Sequence, residues 1–205
     1  ISRVAKEIGA ALIHVSTDYV FDGEKADAYR EDDATSPIGA YGESKLAGER
    51  HILSSMDHYF IVRTAWLYGE TGKNFVLTMI RLFNERDEVK VVADQWGSPT
   101  YAGDLAAAIV TIVEGNSTRY GTYHFTNEGR TNWREFASAI YDLSRRHGLV
   151  DREVRIVPIT TAEYPTKARR PKNSYLSKEK IIRDLGVRCR PWREALDECI
   201  ANLKK

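Results

Sequence analysis

Two short and almost continuous apolar runs bracket one helical segment, and that order constrains the fold of this chain more than any other feature. Residues 10–15 (Ala-Ala-Leu-Ile-His-Val) and 59–68 (Tyr-Phe-Ile-Val-Arg-Thr-Ala-Trp-Leu-Tyr) have the composition of strands buried on both faces, as in a parallel sheet. Between them, residues 41–56 place Leu46, Leu53 and Met56 among the apolar positions of a helix. Parallel neighbours need a crossover, so strand, helix, strand predicts a βαβ unit. The alternation continues with helices over 75–83, 102–114 and 192–203, and strands over 89–92, 120–125 and 152–157. A further helix is capped by Thr131 or Asn132 and runs to about His147, and a short one spans 177–185. Residues 18–40, 94–101 and 158–176 read as loops. The pattern predicts an α/β fold with a largely parallel sheet.

Composition narrows the function. Thirty basic and twenty-nine acidic residues nearly cancel, which argues against binding nucleic acid or a membrane surface through net charge. No run of about 18 apolar residues is present to cross a bilayer. The two cysteines, Cys189 and Cys199, form neither a disulfide framework nor a zinc pattern. They suit a reducing cytoplasm, where buried packing is the plain expectation for both. Asp94, Glu128 and Glu135 lack metal-ligand spacing, so no metal is expected. The chain opens on what reads as the tail of an amphipathic helix, with Val4, Ala5 and Ile8 on one face and Gly9 ending it. An N-terminal segment is therefore expected to be missing.

Chemistry concentrates at one strand end. Ser16-Thr17-Asp18 follows the first apolar run, and ligands of open α/β sheets bind beyond the carboxyl ends of strands. Tyr41-Gly-Glu-Ser-Lys45 opens the next helix. Residues four apart share a helix face, so the Tyr41 phenol and the Lys45 ammonium point into the same space. A neighbouring ammonium favours the phenolate, which lets a phenol act as a general acid. A Thr17 hydroxyl beside the phenol completes a site that protonates a carbonyl oxygen while hydride reaches its carbon. A tyrosine and lysine at this spacing are more often a solvated pair. The strand end upstream and the second strand immediately downstream shift that balance.

The stretches Val15-Ser-Thr-Asp-Tyr-Val-Phe-Asp-Gly23 and Tyr41-Gly-Glu-Ser-Lys-Leu-Ala-Gly-Glu49 resemble the extended short-chain dehydrogenases that act on nucleotide sugars. Among these, the similarity is greatest to the dTDP-4-dehydrorhamnose reductases. It continues through Arg63–Gly69, Gly72–Phe75, Asp94–Thr100, Asp104–Ala106 and Arg170–Ser174, in the family's order and over essentially the whole chain. The resemblance implies reduction of the 4-keto group of dTDP-4-dehydro-L-rhamnose to dTDP-L-rhamnose, with NADPH or NADH as cofactor. It implies Tyr41 as proton donor, Lys45 as the lysine that tunes the phenol and contacts the nicotinamide ribose, and Thr17 as the hydroxyl orienting the ketone. It places Asp18 and Trp66 against the deoxysugar. Tyr19, where related dehydratases carry a second acid, favours reduction over dehydration. Such reductases are often dimers, so a homodimer is an expectation.

Other residues have plainer readings too. Trp66 also suits a core position, and residues 95–100 also suit a simple turn. The basic cluster Lys167, Arg169, Arg170 and Lys172 reads as a solvated patch. The alternative is that an arginine such as Arg170 pairs with the substrate diphosphate. No glycine-rich dinucleotide motif is present, and by the resemblance about 90 residues with three strands would precede residue 1. The expected fold is thus part of a Rossmann-like parallel sheet with a smaller substrate-binding lobe. Residues 1–130 are assigned to the first and 131–205 mainly to the second. Two rival functions remain: a non-catalytic regulatory subunit, against which the intact Thr17, Tyr41 and Lys45 argue, and another nucleotide-sugar epimerase or dehydratase.

Overall fold

In a computed structural model, which describes residues 1–166 and 169–203, the expected βαβ unit is present. Strand β1 (Leu12–Thr17) leads through helix α2 (Ala40–Ser55) to β2 (Tyr59–Thr64), and the two strands pair in parallel over their full length. Strand β7 (Gly121–His124) adds to the far side of β2, again parallel, giving the order β1-β2-β7. Ahead of β1, α1 (Ser2–Glu7) ends as Gly9 turns left-handed at φ 68°, the cap that glycine supplies without steric cost. Val4 and Ile8 of that segment are exposed, while Ala5 packs against Ile52, Met56 and Ile61.

Beyond β2 come β3 (Leu67–Tyr68), α3 (Phe75–Glu85), β4 (Glu88–Val92), β5 (Trp96–Gly97), β6 (Thr100–Tyr101) and α4 (Ala102–Glu114). After β7 follow β8 (Thr131–Asn132), α5 (Trp133–Arg146), β9 (Arg155–Ile159), β10 (Asn173–Ser174), α6 (Glu179–Leu185) and α7 (Trp192–Asn202). Helices α3 and α5 start where asparagines can cap them: Asn74 accepts from Leu77 N at 3.1 Å and Asn132 from Glu135 N at 2.8 Å. One core joins α3, α5 and α7 through Val76, Phe83, Phe136, Ile140, Leu196 and Ile200. A second lies against the sheet around Phe60, Val62, Leu105, Tyr123 and Ile181. A third, with Val20, Phe21, Tyr29, Leu46, Ala65 and Leu176, sits next to the carboxyl end of β1.

Four sequence expectations need correction. Residues 59–68 are two strands, because Trp66 adopts φ 49° and turns the chain away from the sheet. The released backbone is taken up by Thr100, whose hydroxyl donates to Ala65 O at 2.7 Å and whose amide donates to Trp66 O at 3.2 Å. Residues 94–101 are more than a loop: β5 joins β10 and β8, and β6 joins β3. Each of these strands has two residues, too few to show a period. Residues 18–40 and 158–176 also carry structure, with 3-10 turns at Asp18–Val20 and Thr161–Glu163, strand β10, and a bridge from Tyr29 to Leu176. Cys199 is buried and Cys189 half-buried, and both are free thiols. Among the described residues no helix is long and apolar enough to cross a membrane.

Candidate active site

Thr17 is the last residue of β1 and is buried. It caps the 3-10 turn that follows, since its hydroxyl oxygen accepts from Tyr19 N at 3.2 Å. The same hydroxyl donates to Asp18 Oδ1 at 2.9 Å. Asp18 is 3% exposed, and its Oδ2 has no partner of hydrogen-bond geometry among the described residues. Burial raises its carboxyl to about 6, against the opposing hydrogen bonds from Ser174 and Thr17. Asp18 is thus a buried acid, poised between its charged and neutral forms, with one oxygen unused.

Helix α2 begins directly above this turn. Its first turn lies so close that a Cβ on Gly42 would sit 2.2 Å from Tyr19 O, a distance no side chain tolerates. Only glycine lets the helix approach this closely, and the approach brings Tyr41 edge-on to Tyr19 with ring centroids 5.7 Å apart. Tyr41 is 58% exposed, its ring open to an incoming ligand. One turn on, Lys45 Nζ donates to Val15 O of β1 at 2.7 Å, which holds the ammonium over the strand two residues before Thr17. Tyr41 and Lys45 therefore both reach the carboxyl end of β1, one at the turn and one on the strand.

Trp66 lies on the second wall. Its indole stacks on Trp133 at 3.7 Å between centroids and 12° between planes. A Cβ on Gly97 would meet that indole at 2.8 Å, so Gly97 is the floor on which it rests. Strand β10 brings Ser174 opposite Gly97. Arg170, four residues upstream of Ser174, is exposed; its charge pulls the Tyr19 phenol downward, although burial and then the Asp18 charge raise that phenol on balance. Arg169 and Lys172 both pair with Glu24, at 3.6 and 3.3 Å, and so form part of a solvated patch. Lys167 lies outside the described residues. Asp94 accepts from Thr161 N at 2.9 Å, Glu128 pairs with Lys178 at 3.5 Å and Glu135 accepts from Thr131 at 3.0 Å, three separate places.

Sequence reasoning did not single out Trp133, Ser174 as a neighbour of Asp18, or Tyr19 as a neighbour of Tyr41. Only adjacency to Asp18 could have pointed to Tyr19. Trp133 gave no signal, since an aromatic at a helix start is ordinary core composition. A cavity of about 620 Å³ lined by Arg30, Glu31, Gly121, Thr122 and Lys180 opens at the start of β7, the opposite end of the sheet from Thr17, and takes no part in the site.

A parallel sheet with a tyrosine–lysine helix over one strand end puts this chain among the Rossmann-like α/β oxidoreductases. The family described as RmlD substrate binding domain matches residues 1–205, and the chain belongs to it. A dTDP-4-dehydrorhamnose reductase from Aggregatibacter actinomycetemcomitans is 44% identical over 96% of this chain and 68% of its own length. The crystal structure of a dTDP-4-dehydrorhamnose reductase from Clostridium acetobutylicum superposes with a TM-score of 0.92 at 42% identity, over 100% of this chain and 70% of that one. That of the Bacillus anthracis dTDP-4-dehydrorhamnose reductase, in complex with NADP, gives 0.89 at 41% identity over 98% of this chain and 69% of that one.

Proposed function

We propose that the protein reduces the 4-keto group of dTDP-4-dehydro-L-rhamnose to dTDP-L-rhamnose with NADPH or NADH, and that Tyr41 donates the proton. The observation that carries this reading is the convergence of Tyr41 and Lys45 on the strand end that bears Thr17 and the buried Asp18. The relatives named for this reaction, one of them bound to NADP, support it over nearly the whole chain.

The site suits a nicotinamide cofactor on its donor chemistry. Lys45 uses one of its three N–H groups on Val15 O, which leaves two for ribose hydroxyls. When bound, the cofactor supplies hydride to the carbonyl carbon. As hydride arrives, negative charge gathers on the carbonyl oxygen, and the Tyr41 O–H transfers its proton there, leaving a phenolate. The Lys45 ammonium stabilises that phenolate, and because the phenol is open, solvent can return the proton. Thr17 orients the ketone as the donor beside it. Its hydroxyl is given to Asp18 in the free protein, so binding redirects that hydrogen from carboxylate to ketone.

The unused Asp18 Oδ2 takes a sugar hydroxyl, Trp66 presents the apolar edge of its indole to the deoxysugar, and Arg170 pairs with the diphosphate. The reading extends to a homodimer in the cytoplasm, checked by sedimentation and by cell fractionation of the whole protein. The decisive experiment follows NAD(P)H oxidation with dTDP-4-dehydro-L-rhamnose. Turnover by the wild type that collapses in Tyr41→Phe, at unchanged melting temperature, supports the proposal. Wild-type turnover in Tyr41→Phe rules Tyr41 out as donor.

A further inference from the structure

Eight residues beyond Tyr41 on the same helix, α2 carries a carboxylate that the chemistry above does not use. Glu49 is fully buried, and no solvent reaches it. Its two oxygens collect four hydrogen bonds. Ser16 Oγ donates to Oε1 at 2.5 Å, Arg63 Nε reaches both oxygens at 3.0 and 3.2 Å, and Arg63 Nη2 donates to Oε2 at 2.7 Å. Ser16 and Arg63 are partners in the β1–β2 register, so their side chains lie on one face of the sheet and meet the same carboxylate. Arg63 is also held by Phe21, its guanidinium 5.1 Å from that ring's centroid. Helix and both strands are thus fastened together at one level, the residue pair immediately before Thr17 and Thr64.

A buried ion pair of this kind gives little net stability, because removing two charges from water cancels most of their attraction. Direction and length are what it does fix. Apolar contacts from Leu46 and Ile52 let a helix slide along a sheet by fractions of an ångström, whereas a fork of charge-assisted hydrogen bonds does not. Tyr41 lies about 12 Å along the helix axis from Glu49, so any axial shift at the fork is delivered undiminished to the phenol.

We infer that Glu49, gripped by Arg63 and Ser16, is a positioning residue that sets the height of α2 on the sheet, so that Tyr41 and Lys45 meet a ketone held at Thr17. This rests on the proposed reduction, with Tyr41 as donor. The clamp acts on placement alone: it touches neither sugar nor cofactor, and its loss changes the chemical step before it changes binding.

The test separates placement from folding. In the whole protein, Glu49→Leu combined with Arg63→Met exchanges the ion pair for apolar groups of similar bulk, which keeps the fold without leaving a buried charge. Ser16→Ala releases only the link to β1. Expected are a kcat lowered about tenfold to a hundredfold in the double variant and about threefold to tenfold in Ser16→Ala, with KM for sugar and cofactor within about threefold. The limb of the kcat–pH profile that reports the proton donor moves in both. Wild-type kcat and pH profile in Ser16→Ala, or in a folded double variant, would overturn the assignment. Tyr41→Phe is measured alongside: if that variant keeps full turnover, the donor assignment fails on its own, whatever the clamp variants do.

Discussion

The sheet β1-β2-β7 and the small sheet β10-β5-β8 flank the same site yet are built in opposite ways. The first aligns strands of six, six and four residues through continuous parallel ladders. The second collects three strands of two residues each from residues 96–97, 131–132 and 173–174. Continuous backbone ladders run through the first, and the Ser16–Glu49–Arg63 fork ties them to α2. The second depends on side chains: the indole stack over Gly97, and Asn173 Nδ2 donating to Lys25 O at 2.8 Å and Asp27 O at 2.9 Å. In the proposed reduction, the proton-moving groups ride on the first sheet and on α2 packed against it, while Gly97 and Ser174 of the assembled sheet back the substrate-side Trp66 and Asp18. Rigidity is where proton transfer needs it, since reacting atoms must be held within fractions of an ångström.

Four measurements break or sharpen this contrast, taken from the largest effect to the smallest. Tyr41→Phe is expected to lower kcat by about a thousandfold, some 4 kcal/mol, with little change in melting temperature, because an exposed phenol contributes little packing. A drop in KM alone would break the assignment of proton chemistry to the first sheet.

Next is the pH dependence contributed by Asp18. Its folded value of about 6 lies above the ordinary 3.8, so the native state holds the proton more tightly. The stability it contributes is complete below pH ~4 and lost as pH rises through 6, amounting to up to about 3 kcal/mol. His124 works in the other direction: burial, and then the Arg63 charge, push its imidazole down to about 3, so its contribution is lost as pH falls below 6.5. The Asp18 contribution is therefore read as the difference between wild type and Asp18→Asn in urea unfolding from pH 4 to 7. A flat difference would show that the carboxyl is solvated. Asp18→Asn is also expected to lose sugar affinity.

Gly42→Ala is third. A Cβ against Tyr19 O forces α2 off the turn, at a cost of about 2 kcal/mol by chemical denaturation and a fall in kcat with it. The smallest effect is expected at Gly97→Ala, about 1 kcal/mol, since the indole it meets can tilt. There the signature is a raised KM for the sugar at unchanged kcat. Gly42→Ala acting on KM, or Gly97→Ala on kcat, would dissolve the division between the two sheets.

The same division governs what was legible in the sequence. Residues 10–15 and 59–68 point to the parallel sheet because short, nearly continuous apolar runs have few other uses, and Tyr41, Lys45 and Thr17 stand out as candidates because helix spacing and strand ends are local properties. The kink at Trp66 does not, since a left-handed tryptophan has no signature in composition and is held by Thr100, which lies 34 residues later. Strands β5, β8 and β10 were invisible for the same reason: two residues carry no period, and their partners are far away in the chain. Asp18 reads from the resemblance as a sugar contact, but its burial, its unpartnered oxygen and its neighbour Ser174 come only with the fold.

The face-to-face indoles of Trp66 and Trp133 also make the proposed substrate wall an optical instrument. Chromophores this close couple electronically and give an exciton couplet in circular dichroism as well as mutual fluorescence quenching. If the sugar binds beside Trp66 as proposed, it changes both signals at once. Ligand occupancy can then be followed without labels, and independently of the nicotinamide absorbance that reports turnover.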